Sequence, residues 1–172
     1  MKTLFVLRHA HASGPSSAPT DFDRPLDPRG REEAAGIGRT MRARRLVFDA
    51  MVASPALRVV ETIAGINEGV ERPIEPIYDP RAYNAWPGAL LQIIREVDDR
   101  VERLLIVGHN PGLQDLLLTI AEDDRDGLRG DVALSYPTGA LAELSLAVDH
   151  WRDVGSHSGR LVSFVRPCDA ED

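Results

Sequence analysis

The amino-acid sequence predicts an α/β fold: a three-layer α/β/α sandwich built on a mostly parallel sheet. Three observations lead there. Apolar runs such as Thr3-Leu4-Phe5-Val6-Leu7 and Leu104-Leu105-Ile106-Val107 lack the polar alternation of a half-solvated strand, so they suit strands covered on both faces. Segments with helical spacing of apolar residues stand between such runs. Three junctions, Asp27-Pro28, Ser54-Pro55 and Asn110-Pro111, pair a capping side chain with a proline suited to the first helical position.

Taken in order, the first strand is expected near 3–7 and ends on Arg8-His9. Residues 13–28 (SGPSSAPTDFDRPLDP) are rich in Gly, Pro and Ser and predict a long loop, a feature that is often functional beside a site. From Asp27-Pro28 a helix is expected to about Arg45, with Ala34, Ile37 and Met41 inward. A second strand, near 50–53, precedes Ser54-Pro55. Ala56, Val59, Val60, Ile63 and Ala64 then form one apolar helical face. A third strand is placed near 74–77, and Leu90, Ile93, Ile94 and Val97 mark another helix. The strand near 103–107 leads through Gly108-His109-Asn110-Pro111 to a helix marked by Leu113, Leu116, Leu117, Ile120 and Ala121. Residues 123–138 read as a loop, and strands near 140–146 and 160–166 close the chain. No domain boundary interrupts the pattern, so 1–172 is read as a single domain. Trp86 and Trp151 read as packing residues, Trp86 also as a rim to a pocket. His150 and His157 read as surface or hairpin positions.

Composition narrows the function classes. A chain of 172 residues suits one domain with a real core. With 43% hydrophobic and 27% charged residues it has the make-up of a soluble globular protein. A net charge of -7 argues against non-specific binding to nucleic acid or anionic membranes. A basic pocket in so acidic a chain selects small or local phosphates. The single cysteine, Cys168, allows no intrachain disulfide and fits a reducing compartment. No apolar stretch is long enough for a membrane span, and the run after Met1-Lys2 is too short for a signal peptide. The expected location is the cytoplasm.

The chemistry lies at the strand ends. In open α/β sheets ligands bind beyond the carboxyl ends of the strands, and Arg8, His9, Arg58 and His109 are all expected at that edge. Phosphoryl transfer needs an in-line nucleophile and fixed positive charge around the equatorial oxygens. Arg8 and Arg58 supply permanent charge in a planar fork of donors. A neutral His9 offers a lone pair to phosphorus, and a protonated His109 offers a donor to a phosphoryl oxygen. Helix N-termini after Ser54 and Asn110 add anion-attracting N–H groups. An Arg-His pair after a strand is more often structural, and Ser-Pro more often a cap. The ordered combination of all three segments carries the signal. A metal site built from His9, His11, His109 and an aspartate is the competing reading, but it lacks a clear carboxylate and sets two arginines beside the cation.

Leu7-Arg8-His9-Ala10, Ser54-Pro55 with Arg58 and Glu61-Thr62, and Gly108-His109-Asn110 together resemble the histidine phosphatase superfamily, the phosphoglycerate mutase-like fold. The short length, Arg24-Pro25-Leu26, Tyr83-Asn84-Ala85 and Pro137-Thr138-Gly139-Ala140 resemble its SixA-type phosphohistidine phosphatase branch. The resemblance spans nearly the whole chain. It implies a transiently phosphorylated His9 and a phosphate pocket of Arg8, Arg58, His109 and Asn110, with no cofactor and no metal. Ala10 stands where the familiar motif has glycine. Many members carry an acid after the third strand; here Asp79 is the acid in that segment, with Asp21 and Asp23 of the long loop as other candidates. The expected activity is phosphatase action on phosphohistidine or another phosphoramidate, on a protein or a small phosphorylated molecule. The alternatives are a phosphomonoesterase for sugar or nucleotide phosphates and a non-catalytic phosphate-binding module. A mutase has little chain length to draw on. Sequence is silent on oligomeric state.

Overall fold

The computed structural model describes residues 1–123 and 127–167; Cys168 lies outside them. Six strands form one sheet: β1 (Lys2–Arg8), β2 (Ala50–Ala53), β3 (Pro76–Tyr78), β4 (Arg103–Gly108), β5 (Leu141–Leu146) and β6 (Gly159–Val165), in the order β3-β2-β4-β1-β5-β6. The β3–β2, β2–β4 and β4–β1 pairings are parallel, and β1–β5 and β5–β6 are antiparallel. Helices α1 (Pro28–Ala43), α2 (Leu57–Gly69) and α3 (Pro87–Arg95) provide the crossovers, and α4 (Gly112–Ile120) and α5 (Leu128–Leu134) join β4 to β5. Among the described residues, no helix is long and apolar enough to cross a membrane.

β1 shows why the unalternated runs are buried. Leu4 and Val6 join a cluster with Leu90, Ile94, Leu113 and Leu117 of α3 and α4. Phe5 and Leu7 point the other way, into a cluster with Ile37, Met41, Val59 and Ile63 of α1 and α2. All four β1 side chains are fully buried, each a gain of about 2 kcal/mol relative to exposure. Apolar residues on both faces of one strand require helices on both sides, which is the three-layer sandwich. β6, at the sheet edge, instead alternates buried Leu161 with exposed Arg160 and Val162.

Local differences from expectation sit at the helix starts. Asp27 caps α1 as read: its carboxylate accepts the Gly30 N–H at 2.8 Å with Pro28 following. Ser54 and Asn110 are not caps. α2 begins at Leu57 behind Ala56, and α4 at Gly112 behind Pro111, and neither helix has a side-chain cap. The expected loop at 123–138 contains α5, whose seven residues bury only Val132; a helix with one inward residue leaves no periodicity to read. The long loop after β1 folds into short 3-10 turns at Pro15–Ser17 and Asp21–Asp23, and a bridge from Ala12 to Leu26 closes its base.

Candidate active site

A cavity of about 320 Å³ opens at the carboxyl ends of β1 and β4, lined by Arg8, His9, Asp21, Arg24, Arg58, Asn84, His109, Asn110 and Thr138 among others. Arg8 is the last residue of β1 and His9 the next; the Arg8 N–H donates to Ala140 O and the His9 N–H to Gly108 O, so pairing with the neighbouring chain continues to the site. Gly139, at φ +74, turns back so that its N–H reaches His9 O at 3.0 Å and Arg8 O at 3.2 Å. A residue with a Cβ is strained in that left-handed conformation.

The His9 ring is 7% exposed. Its Nδ1–H donates to Ala10 O at 2.7 Å, which leaves the lone pair on Nε2. Burial pushes the His9 pKa from 6.5 down to about 4, and Arg58 and Arg8 push the same way against the Ala10 hydrogen bond. His9 is therefore neutral at physiological pH, with its lone pair on Nε2. Ala10 is held in turn: its N–H donates to Thr62 Oγ1 at 3.0 Å, and that hydroxyl donates to Arg58 O. Thr62 thus ties the strand end to α2, and Glu61 does the same for the loop by accepting the Leu26 N–H.

His109 packs beside His9 with ring centroids 5.2 Å apart. Its Nε2 meets Ser54 Oγ at 2.7 Å. Ser54 is fully buried and its other partner, the Ala56 N–H, is itself a donor, so the hydroxyl proton goes to Nε2 and the His109 proton resides on Nδ1. Burial, then His9 and Arg58, lower the His109 pKa to about 3. The ring is thus a neutral donor, where the sequence suggested a protonated one. Nδ1 of His109, Nε of Arg8, Nε of Arg58 and Oδ1 of Asn110 are all buried without a hydrogen-bond partner. Buried polar atoms are normally satisfied, and these belong to residues around one cavity. Three unsatisfied N–H donors beside it suit an oxyanion.

The two neutral histidines carry a pH dependence. Above 6.5 they are neutral whether the chain is folded or not; below it, the unfolded chain binds protons that the folded site refuses. Stability present above 6.5 is therefore lost as pH falls toward 4, by up to about 1.4 kcal/mol per pH unit for each histidine. The urea midpoint is expected to drop between pH 7 and pH 5, a window above the carboxylate titrations. A midpoint that holds constant there contradicts neutral burial.

The remaining charges differ from those the sequence singled out. Arg58 is 3% exposed, not on an open edge, and its guanidinium donates to Asp21 O at 2.8 Å and to Asp21 Oδ2 at 3.1 Å. Asp79 does not reach the cavity. It accepts the Arg81 N–H as the cap of a 3-10 turn (Pro80–Ala82) and pairs with the Arg81 guanidinium, which holds its carboxyl below the usual range. The cause is local: an aspartate before a proline is well suited to start a turn, and here its carboxylate is spent on that turn. The carboxylate at the cavity is that of Asp21. Tyr83 Oη donates to its Oδ2 at 2.5 Å and Arg24 Nε to its Oδ1 at 3.0 Å. The Tyr83 hydroxyl, with help from Arg58 and Asn84, pulls the Asp21 pKa far below the ordinary carboxylate value. Asn110 does line the cavity, with Nδ2 donating to Tyr136 O at 2.9 Å. The same carbonyl accepts from Arg8 at 3.0 Å.

Arg24, Tyr83 and Asn84 stood in the sequence as unexplained motif residues, and folding supplies their role. The Ala85 carbonyl lies against Gly112, where any Cβ would come within 1.9 Å of it. That close approach seats the 83–85 segment on the start of α4, and the Tyr83 ring meets His109 edge-on at 5.6 Å. Trp86 is 71% exposed, whereas Trp151 is fully buried. His150 lies at the surface, paired with Asp99. Among the described residues no three His, Cys, Asp or Glu side chains converge as a metal site.

Comparison with known proteins agrees with this geometry. The family model for the histidine phosphatase superfamily (branch 1) matches residues 4–104. An uncharacterized protein of Mycobacterium tuberculosis H37Rv is 36% identical over 163 residues, covering 94% of this chain and 99% of that one. A structure provisionally assigned as the phosphohistidine phosphatase SixA of Nakamurella multipartitia superposes with a TM-score of 0.83 at 25% identity, covering 96% of both chains. One with the same provisional assignment from Agrobacterium tumefaciens gives 0.78 at 28% identity, covering 96% of this chain and 98% of that one. The chain belongs to the histidine phosphatase superfamily, with the phosphoglycerate mutase-like fold of its SixA-type members.

Proposed function

We propose that this chain, read as one domain over 1–172, is a metal-independent phosphatase that uses His9 as nucleophile and acts on phosphohistidine or another phosphoramidate, in a protein or a small molecule. The carrying observation is the His9 imidazole: neutral, tautomerically set by the Ala10 carbonyl, and beside a cavity lined by Arg8, Arg24 and Arg58. In the first step Nε2 attacks phosphorus and the P–N bond to the substrate breaks. In the second, water attacks the phosphorylated His9 and releases phosphate. The Arg8 and Arg58 guanidiniums and the Nδ1–H of His109 receive the charge on the phosphoryl oxygens. Three guanidiniums and one carboxylate give the cavity an excess of two positive charges, matched to a phosphoryl dianion.

The leaving group argues for P–N over P–O cleavage. An alkyl ester expels an alkoxide unless an acid protonates it. Asp79 is remote and Asp21 is held ionised, whereas a phosphoramidate nitrogen takes its proton from solvent. The test is turnover of a phosphohistidine peptide against a phosphoserine peptide, with an alkaline quench and mass spectrometry to find the phosphorylated histidine. Faster phosphohistidine turnover and phosphate on His9 are expected, together with full activity in chelator and inhibition by vanadate. Better turnover of the phosphoserine peptide points instead to a phosphomonoesterase. Activity that dies in chelator and returns with zinc or magnesium contradicts the arginine-based pocket.

A further inference from the structure

Asp21 is the only carboxylate lining the cavity among the described residues, and its two oxygens are used unequally. Oδ2 accepts from Tyr83 Oη at 2.5 Å, Arg58 at 3.1 Å and Asn84 Nδ2 at 3.4 Å. Oδ1 accepts only from Arg24 Nε, at 3.0 Å. A carboxylate has about four acceptor directions, so Oδ2 is filled and Oδ1 retains one. The side chain is 47% exposed and lines the cavity. Two guanidiniums, a phenol and an amide fix the group as an anion. It has no proton to give, and its place beside the nucleophile calls for a different role.

A fixed anion next to a phosphoryl site acts on whatever the phosphoryl group is leaving. It repels a leaving group with negative charge and favours one that carries a proton. We propose that Asp21 is the specificity-determining residue of this site: Oδ1 accepts a hydrogen bond from a protonated nitrogen of a phosphoramidate leaving group and keeps that group protonated until the P–N bond breaks. This rests on the reading of His9 as nucleophile. For a phosphorylated imidazole the step balances without a proton from the protein. The Nε2 lone pair of His9 forms the new P–N bond, and the electron pair of the old one returns to the substrate ring. The proton already on the ring's other nitrogen makes the departing imidazole neutral. Asp21 stays a carboxylate throughout.

The groups around Asp21 are Arg24 from its own loop, Arg58 from α2, and Tyr83 and Asn84 from the segment before α3. Arg8, His9, His109 and His11, the last paired with Asp27, share the cavity. Titration of any of these affects every substrate, whereas protonation of the leaving group affects only phosphoramidates. The experiment therefore compares kcat against pH for N-phosphoimidazole and for p-nitrophenyl phosphate, whose phenolate leaves without a proton, in the wild type, Asp21→Asn and Asp21→Glu.

In Asp21→Asn, the ratio of kcat/KM for N-phosphoimidazole over p-nitrophenyl phosphate is expected to fall about tenfold. The alkaline limb of kcat for N-phosphoimidazole alone is expected to move about one pH unit toward acid. Asp21→Glu, which keeps the charge, is expected to retain most of the ratio. An unchanged ratio and limb in Asp21→Asn overturns the proposal. So does an Asp21→Glu variant that behaves like Asp21→Asn, because loop geometry rather than charge is then the cause. Phosphoenzyme formed on His9 from p-nitrophenyl phosphate in the wild type keeps the nucleophile reading standing in either case; its absence removes both.

Discussion

His9→Ala is expected to reduce turnover of phosphohistidine and of p-nitrophenyl phosphate to background while the protein remains folded. The side chain makes one hydrogen bond, to the carbonyl of the next residue, and the backbone that positions it is held by Gly108, Gly139 and Thr62. Truncation therefore leaves the strand end in place and creates a small void beside His109, at a cost of about 1 kcal/mol. Catalysis loses its bond-forming atom. Covalent nucleophiles that act as a unit with their surroundings are worth on the order of 10⁴-fold or more in rate. Near-native melting together with lost turnover is the expected pair of results. Wild-type-like activity in purified His9→Ala rules out His9 as nucleophile.

The order of elements was legible because it rests on pattern. The four fully buried residues of β1 and the apolar faces of α1 through α4 follow from spacing alone, and the strand-end positions of Arg8, His9 and His109 follow from the elements. What spacing does not encode is the direction of a polar side chain. Ser54 reads as a cap, yet its hydroxyl meets His109 instead. Asp79 and Asp21 were both candidate acids, and tertiary contacts alone separate them: Arg81 holds the first away from the cavity, whereas Tyr83 and Arg58 draw the second in. Residues 21 and 83 are distant in sequence, and their meeting depends on how the long loop folds over α2. No local pattern contains that information.

Arg58 shows how burial changes an expectation as well as a location. As an exposed-edge arginine it could be truncated within about 0.5 kcal/mol. In the folded chain it is 3% exposed and anchors the 21–23 turn through two hydrogen bonds to Asp21. Arg58→Ala is therefore expected to lower stability by about 1–2 kcal/mol, a value kept modest because its carboxylate partner is half exposed. The catalytic loss should be larger. Removing one preorganised donor from a charge-developing site costs roughly 3 kcal/mol or more, a hundredfold in kcat/KM. The turn also loosens and takes Asp21 with it. Arg58→Lys separates the two effects. The ammonium retains a charge near Asp21, so much of the melting temperature returns. It cannot reproduce the planar fork, so kcat/KM stays at least tenfold down. Urea unfolding and kcat/KM on both variants decide the matter. If Lys restores activity in step with stability, Arg58 serves the fold by holding the loop, and its assignment to the phosphoryl oxygens falls.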